Sequence, residues 1–186
     1  MDAHTLADGD LMTTVKVLMT ALLSACAIAP EVRPDSGVQA APVPGDAAFV
    51  QAMLDAHQAY RGPLGLTALV WSASLATEAR TWAETLASQG TFEHSGGGGE
   101  NLWKGTAGAF PLRQRVDAWG NERRYFTPGV FPQVSTTGKW SDVGHYTQMV
   151  WRQTTSLGCG VATGQGSDVL VCRYAPPGNV IGQRVY

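Results

Sequence analysis

Gly144-His145-Tyr146-Thr147-Gln148-Met149-Val150-Trp151 is the stretch of this 186-residue chain that decides its fold. It places one histidine in a loop-like context, directly before residues whose spacing predicts a short helix over 146–152. A single histidine is more often a hydrogen-bonded structural residue than a ligand. His145 therefore becomes a candidate for a site only together with other polar residues of the chain.

A second histidine has similar surroundings, in Phe92-Glu93-His94-Ser95, directly before the four glycines 96–99. Two carboxylates accompany the histidines: Glu100 follows the glycines, and Glu122 lies further along the chain. These spacings allow both histidines and both glutamates to reach one cleft. Neutral imidazoles with carboxylates bind divalent metals such as zinc, and the same groups also form acid–base pairs around a water molecule. Both chemistries stay open here, as does a structural role for each histidine.

The apolar pattern of the chain predicts helices first and strands last. Glu122 lies on the third of these helices and shares a face with Trp119 and Tyr125, each three residues away. Since no strand–helix–strand alternation is visible, this order predicts an α+β fold with helices packed on an antiparallel sheet. The predicted helices cover 47–60, 72–88, 110–125 and 146–152, and the predicted strands surround Cys159 and Cys172.

Cys159 and Cys172 are predicted to form a disulfide. Each lies in a short apolar segment, and the glycine-rich turn 164–168 separates the two segments, so the pair would join the strands of a hairpin. Closing this loop contributes about 3 kcal/mol in the chain-entropy treatment. Two free buried thiols are the alternative.

Residues 1–26 are predicted to be an export segment. Lys16 precedes an apolar run from 17 to 28, which is the order of a signal peptide and is too short for a permanent membrane span. The run contains Leu23-Ser24-Ala25-Cys26, which resembles a bacterial lipobox and predicts lipidation of Cys26; an ordinary signal-peptide cysteine is the alternative. Residues 1–11 are acidic where such a signal is basic, which indicates Met12 as the true start.

Composition separates a tether from the folded part. Residues 27–46 hold four prolines among small residues and predict an unstructured tether, and residues 47–186 predict one domain. Charged residues make up 15% of the chain and the formal net charge is −2, so the chain has no electrostatic footprint for nucleic acid.

Two long motifs resemble the signatures of the CAP superfamily, the cysteine-rich secretory, antigen 5 and pathogenesis-related proteins. One is the segment 144–151, and the other is Tyr174-Ala175-Pro176-Pro177-Gly178-Asn179. Further matches follow in the expected order at His94, at Gly99-Glu100-Asn101-Leu102, and at Trp119 with Glu122 and Tyr125. The resemblance extends over residues 47–186.

The resemblance implies an α-β-α sandwich with a central antiparallel sheet, helices on both faces, and a cleft lined by His94, Glu100, Glu122 and His145. Family members bind a divalent metal there, so we expect zinc, with calcium or magnesium as alternatives. The histidines would be direct ligands, and the glutamates would orient the rings or position metal-bound water. Four consecutive glycines give the loop 96–99 unusual freedom, and we expect it to order only with metal.

The resemblance implies a binding module without catalytic activity. The signal segment and the lipobox at Leu23–Cys26 predict that this module is exported and anchored to the membrane through Cys26, facing the periplasm or the cell exterior. A lipid or sterol is the expected second ligand, and the sequence names no protein partner. The alternative is a metal-dependent hydrolase, a peptidase or cell-wall enzyme, with Glu100 or Glu122 as general base. A third hypothesis is a structural surface protein whose His/Glu cleft binds no metal.

Overall fold

A computed structural model describes residues 46–186 of the chain. The predicted export segment 1–26, with Cys26, and the tether up to residue 45 lie outside the described residues. Within residues 46–186, no helix is long and apolar enough to cross a membrane. The α-helices are α1 (Ala47–Arg61), α2 (Ala73–Gln89), α3 (Leu112–Gly120) and α4 (Gly144–Met149), and the strands are β1 (Val70–Trp71), β2 (Glu100–Thr106), β3 (Ser156–Gly164) and β4 (Ser167–Ala175).

The two long helices begin at side-chain caps. Asp46 accepts a hydrogen bond from the backbone N–H of Ala48 at the start of α1, and Ser72 accepts one from Leu75 at the start of α2. Such caps satisfy N–H groups that have no partner within the helix. Helix α2 ends at Gly90, whose φ of 72° lies in the left-handed region that glycine adopts most readily.

The four strands form one sheet in the order β1-β3-β4-β2. β3 and β4 form an antiparallel hairpin, β2 pairs antiparallel with β4, and the two-residue β1 runs parallel to β3. Cys159 and Cys172 lie opposite each other in the hairpin register and are joined by a disulfide, which confirms the predicted bridge.

Helix α2 lies directly on one face of the sheet because β3 presents glycines there. A Cβ atom at Gly160 would lie 2.8 Å from the Cβ of Arg80 and closer still to the backbone of that residue. Gly158 and Gly164 stand equally close to the α2 backbone. The smaller of the two hydrophobic clusters lies between these layers and consists of Ala79, Ala83, Leu86, Ala87, Leu102, Ala162, Val169 and Val171.

Helices α1, α3 and α4 cover the opposite face, so the described residues form the expected α-β-α sandwich. The larger hydrophobic cluster lies on this side and includes the disulfide. Buried Arg61, at the end of α1, donates hydrogen bonds to the carbonyl oxygens of Thr67, Met149, Trp151 and Thr154. These bonds join α1 to the C-terminal end of α4 and so help to place α4.

Four elements differ from the sequence prediction. The edge strands β1 and β2 were not predicted, because strands were expected only around the cysteines. The helix expected over 110–125 is α-helical only as far as Gly120, which packs against the ring of Tyr60, and continues as a 3-10 helix over Asn121–Tyr125. Helix α4 begins at Gly144 rather than at 146, so His145 lies in its first turn and not in a loop.

Candidate functional site

A cavity of about 600 Å³ opens at the end of the sheet where β2 begins. Its lining is part polar and part apolar. The polar part includes His94, Glu100, Asn101 and His145, together with Gly96, Gly98 and Gly99 of the glycine loop. The apolar part includes Phe131, Pro132, Trp140 and Ile181.

His94 forms a pair with Glu100. The Nδ1 atom of His94 lies 2.8 Å from Oε1 of Glu100, and the glutamate side chain is only 3% exposed whereas that of the histidine is 59% exposed. Ser95 donates to the same carboxylate twice, from its backbone N–H (3.1 Å) and from its hydroxyl (2.8 Å). The carboxylate is therefore fixed, and it orients the ring of His94.

His145 forms the corresponding pair with Glu122. Its Nδ1 atom lies 2.6 Å from Oε1 of Glu122, and the other oxygen of that carboxylate accepts the backbone N–H groups of His145 and Tyr146. These amides belong to the first turn of α4, where N–H groups lack helical partners. The ring of Trp119 stacks on His145 at a centroid distance of 6.2 Å. Glu122 was expected to line the cleft but is not among the residues that line the cavity. It holds the ring of His145, which does line the cavity.

A buried hydrogen-bond network contacts the backbone of His145. Asn101 donates to the carbonyl oxygen of His145 (3.1 Å) and to the hydroxyl of Tyr174 (3.2 Å). Tyr174 in turn bonds to Nε2 of His57 at 2.8 Å, and Nδ1 of His57 donates to the carbonyl of Met53 at 2.7 Å. Burial raises the pKa of Tyr174, so its hydroxyl stays protonated and donates to His57. The network thus joins α1, β2, β4 and α4.

The arrangement leaves one ring nitrogen of each histidine for a ligand. Nδ1 of each ring faces a carboxylate, which fixes the tautomer and leaves Nε2 as the lone-pair nitrogen. Neutral imidazoles held in this way are the usual protein ligands of zinc. Both carboxylates already accept three or more hydrogen bonds or ion pairs. Among residues 46–186, no group of three or more His, Cys, Asp or Glu side chains is arranged around a common metal position.

The four predicted site residues are therefore found as two His/Glu pairs. The sequence reasoning gave no supporting role to five residues that the structure places behind the pairs: His57, Ser95, Asn101, Arg173 and Tyr174. Asn101 and Tyr174 were quoted as motif residues without a role, and the motifs themselves were the signal that could have led to them. Ser95 lies outside the helices and strands, and Arg173 lies in the predicted strand beside Cys172, so neither position signalled a contact with Glu100.

The profile of the "Cysteine-rich secretory protein family", CAP, matches residues 54–174. This chain belongs to that family. Pathogenesis-related protein 1C of Nicotiana tabacum is 36% identical to this CAP protein over 138 residues, which cover 73% of the chain and 80% of the tobacco protein. Pathogenesis-related leaf protein 4 of Solanum lycopersicum is 39% identical over 137 residues, covering 73% and 82%.

Solved structures share the fold of this CAP domain. A crystal structure of NaASP2 with Zn²⁺ has a TM-score of 0.62 and 26% sequence identity, over 73% of this chain and 83% of that one. The α+β architecture with its four-stranded sheet matches these CAP structures, so the fold expected from the motifs is confirmed.

Proposed function

We propose that this CAP protein is an extracytoplasmic binding module without catalytic activity, which holds a divalent metal, zinc first of all, between His94 and His145. The observation that carries the proposal is the duplication of one arrangement: each histidine lines the same cavity, and each has its Nδ1 atom held by a glutamate. Two imidazole nitrogens at one cavity would supply the first two ligands of such a metal. A bound zinc ion would supply a Lewis-acidic centre for an anionic or polar ligand group.

The glutamates orient the histidines rather than bind the metal. Glu100 is almost completely buried and accepts hydrogen bonds from His94 and Ser95, and Glu122 accepts two backbone N–H groups besides the ring of His145. A carboxylate engaged in this way would have to break hydrogen bonds before it could ligate a metal or accept a proton from water. The occupied carboxylates therefore favour binding over hydrolysis.

Two histidine ligands leave the remaining coordination positions of zinc to water or to a bound molecule. The Zn²⁺ in the similar NaASP2 structure, which is 26% identical to this chain, supports zinc as the first metal to test.

The apolar part of the cavity supports a lipid or sterol as the second ligand. Trp140 and Ile181 both line the cavity and are 49% and 79% exposed, so they present apolar surface at one place. With Phe131 and Pro132 they offer an apolar surface next to the histidines. A ligand with a polar head and an apolar body matches both parts of the lining. Export and lipidation of Cys26 belong to the same proposal and are supported by the signal segment and by the lipobox at Leu23–Cys26.

The metal site is tested by calorimetric titration of the metal-free protein with zinc. We expect one zinc ion per chain, with binding lost in the His94→Ala, His145→Ala double variant because both imidazole ligands are gone. Glu84→Gln is the matched control, since it removes an exposed carboxylate of α2 away from the cavity and leaves binding unchanged. Equal zinc binding by the double variant refutes the site.

The binding role is tested by incubating the zinc-loaded protein with peptide and glycan substrates. No turnover is expected, and turnover lost in Glu100→Gln or Glu122→Gln would establish the hydrolase instead. Native mass spectrometry of the protein purified from its own membrane reports acylation of Cys26 and any copurified lipid. An unacylated, lipid-free protein would contradict the anchor and the lipid ligand.

A further inference from the structure

The glycine loop, Gly96–Gly99, rests on the guanidinium group of Arg173. A Cβ atom at Gly97 would lie 3.0 Å from Nη1 of Arg173 and 3.7 Å from Oγ of Ser95, so the loop backbone passes directly over both side chains. At its far end, a Cβ at Gly99 would lie 2.6 Å from the carbonyl oxygen of Tyr174, and the φ of Gly99 is +57°. The loop is therefore in close contact with β4 at Gly97 and at Gly99.

Arg173 reaches this position from the sheet. It lies opposite Glu100 in the β2–β4 register, and its side chain is 15% exposed. Nη2 donates to Oγ of Ser95 at 2.8 Å and lies 3.3 Å from Oε2 of Glu100, while Nη1 is 3.9 Å from a carboxylate oxygen of Glu78. Its Nε–H is buried without an acceptor among the described residues, so the outer nitrogens alone hold the group.

These contacts complete the environment of the Glu100 carboxylate. Oε1 faces His94 and the N–H of Ser95, and Oε2 faces the hydroxyl of Ser95 and Arg173. A buried carboxylate is costly unless charge and hydrogen bonds compensate it, and Arg173 supplies the positive charge. Without Arg173, Glu100 would lose the one arginine that contacts it among residues 46–186, and with it the positive charge that compensates burial of the carboxylate.

We propose that Arg173 is a positioning residue, which orders the glycine loop and, through Ser95 and Glu100, the ring of His94 before any metal binds. This inference rests on the metal site proposed above. It replaces the expectation that the loop orders only with metal, because the contacts that hold the loop come from β4. The second histidine does not depend on such a residue, since backbone amides of α4 hold Glu122.

The inference predicts that the two halves of the site respond differently to substitution of Arg173. Arg173→Met removes the charge and the hydrogen bonds, and it should loosen the loop and His94 while leaving His145 in place. Arg173→Lys returns a point charge without the planar donors, so it should recover part of the effect. Arg115→Met is the matched control, because Arg115 is also buried and ion-paired, to Asp168 at 2.6 Å, and does not line the cavity.

Three measurements on the full-length protein test the inference. Heteronuclear {¹H}–¹⁵N relaxation of the metal-free protein reports the order of the Gly96–Gly99 amides, and ring ¹⁵N shifts report the tautomer of each histidine. We expect an ordered loop in the wild-type protein, a mobile loop with an altered His94 signal in Arg173→Met, and wild-type behaviour in Arg115→Met. Zinc titration should show affinity roughly tenfold weaker in Arg173→Met, the lower end of the loss seen when a partner of a metal-bound histidine is removed, because Arg173 acts on His94 through Glu100 and Ser95.

A mobile loop in the metal-free wild-type protein overturns the inference, and so does an Arg173→Met variant with an ordered loop and unchanged zinc affinity. If Arg173→Met does not fold, Ser95→Ala removes the hydroxyl that joins Arg173 to Glu100, leaves only their direct contact at 3.3 Å, and should loosen the same loop. Absence of zinc binding by the wild-type protein would refute the proposed function, while the relaxation data would still decide the role of Arg173.

Discussion

Acid should destabilise this protein through His57, a histidine that lies outside the cavity. Its side chain is completely buried in α1, donates from Nδ1 to Met53 and accepts from Tyr174 at Nε2. Burial above all, with a smaller contribution from the charge of Arg61, lowers the pKa of His57 from 6.5 to about 4, although its bond to Met53 acts in the opposite direction. The ring is therefore neutral at pH 7 in the folded protein.

The size of the effect follows from the two pKa values. Between them the unfolded chain binds a proton at His57 and the folded protein does not, so stability is lost as the pH falls from 6.5 towards about 4. A gap of about 2.5 pKa units at about 1.4 kcal/mol each corresponds to about 3 kcal/mol. This stability is fully present above 6.5, the pKa of His57 in the unfolded chain, so the protein loses stability as the pH falls and not as it rises.

Urea unfolding followed by tryptophan fluorescence measures this loss at about pH 7 and about pH 4. The comparison is with His57→Gln, which cannot take up a proton at this position and keeps polar atoms for its neighbours. Other groups titrate equally in both proteins, so the difference between their two pH dependences isolates His57. A wild-type protein that loses no more stability towards acid than His57→Gln would refute the reasoning.

Two further predictions concern the sheet. Replacing Cys159 and Cys172 together by alanine should lower the free energy of unfolding by about 3 kcal/mol, since the bridge closes a loop with a sequence separation of 13, and a change below about 1 kcal/mol would contradict this. Gly160→Ala should lower the free energy of unfolding by about 1–3 kcal/mol in the same urea assay, because its methyl group would overlap the α2 backbone. Gly62→Ala is the control and should be nearly neutral, because its methyl group meets only the flexible end of a glutamine. Equal losses in the two variants would contradict the close packing of α2.

Local sequence determined much of the fold. The apolar spacing of α1 and α2 predicted both helices to within one residue at each end, because an amphipathic face is a property of consecutive residues. The hairpin was visible for the same reason, since two apolar segments with cysteines enclose a glycine-rich turn. Strand β2 was missed because it pairs with β4, nearly seventy residues later in its register, and pairing of that kind leaves little trace in a short segment.

The motifs named the four site residues and their order, but the tertiary structure decided which carboxylate holds which ring. Glu100 pairs with His94, and Glu122 pairs with His145. The positions of the four residues along the chain do not show which glutamate contacts which histidine. The role of Arg173 could not be predicted from the sequence, since its contact with Glu100 follows from the register of β2 against β4. Residue types and periodicity act locally and can be read along the chain, whereas hydrogen bonds between distant segments exist only once the sheet has brought those segments together.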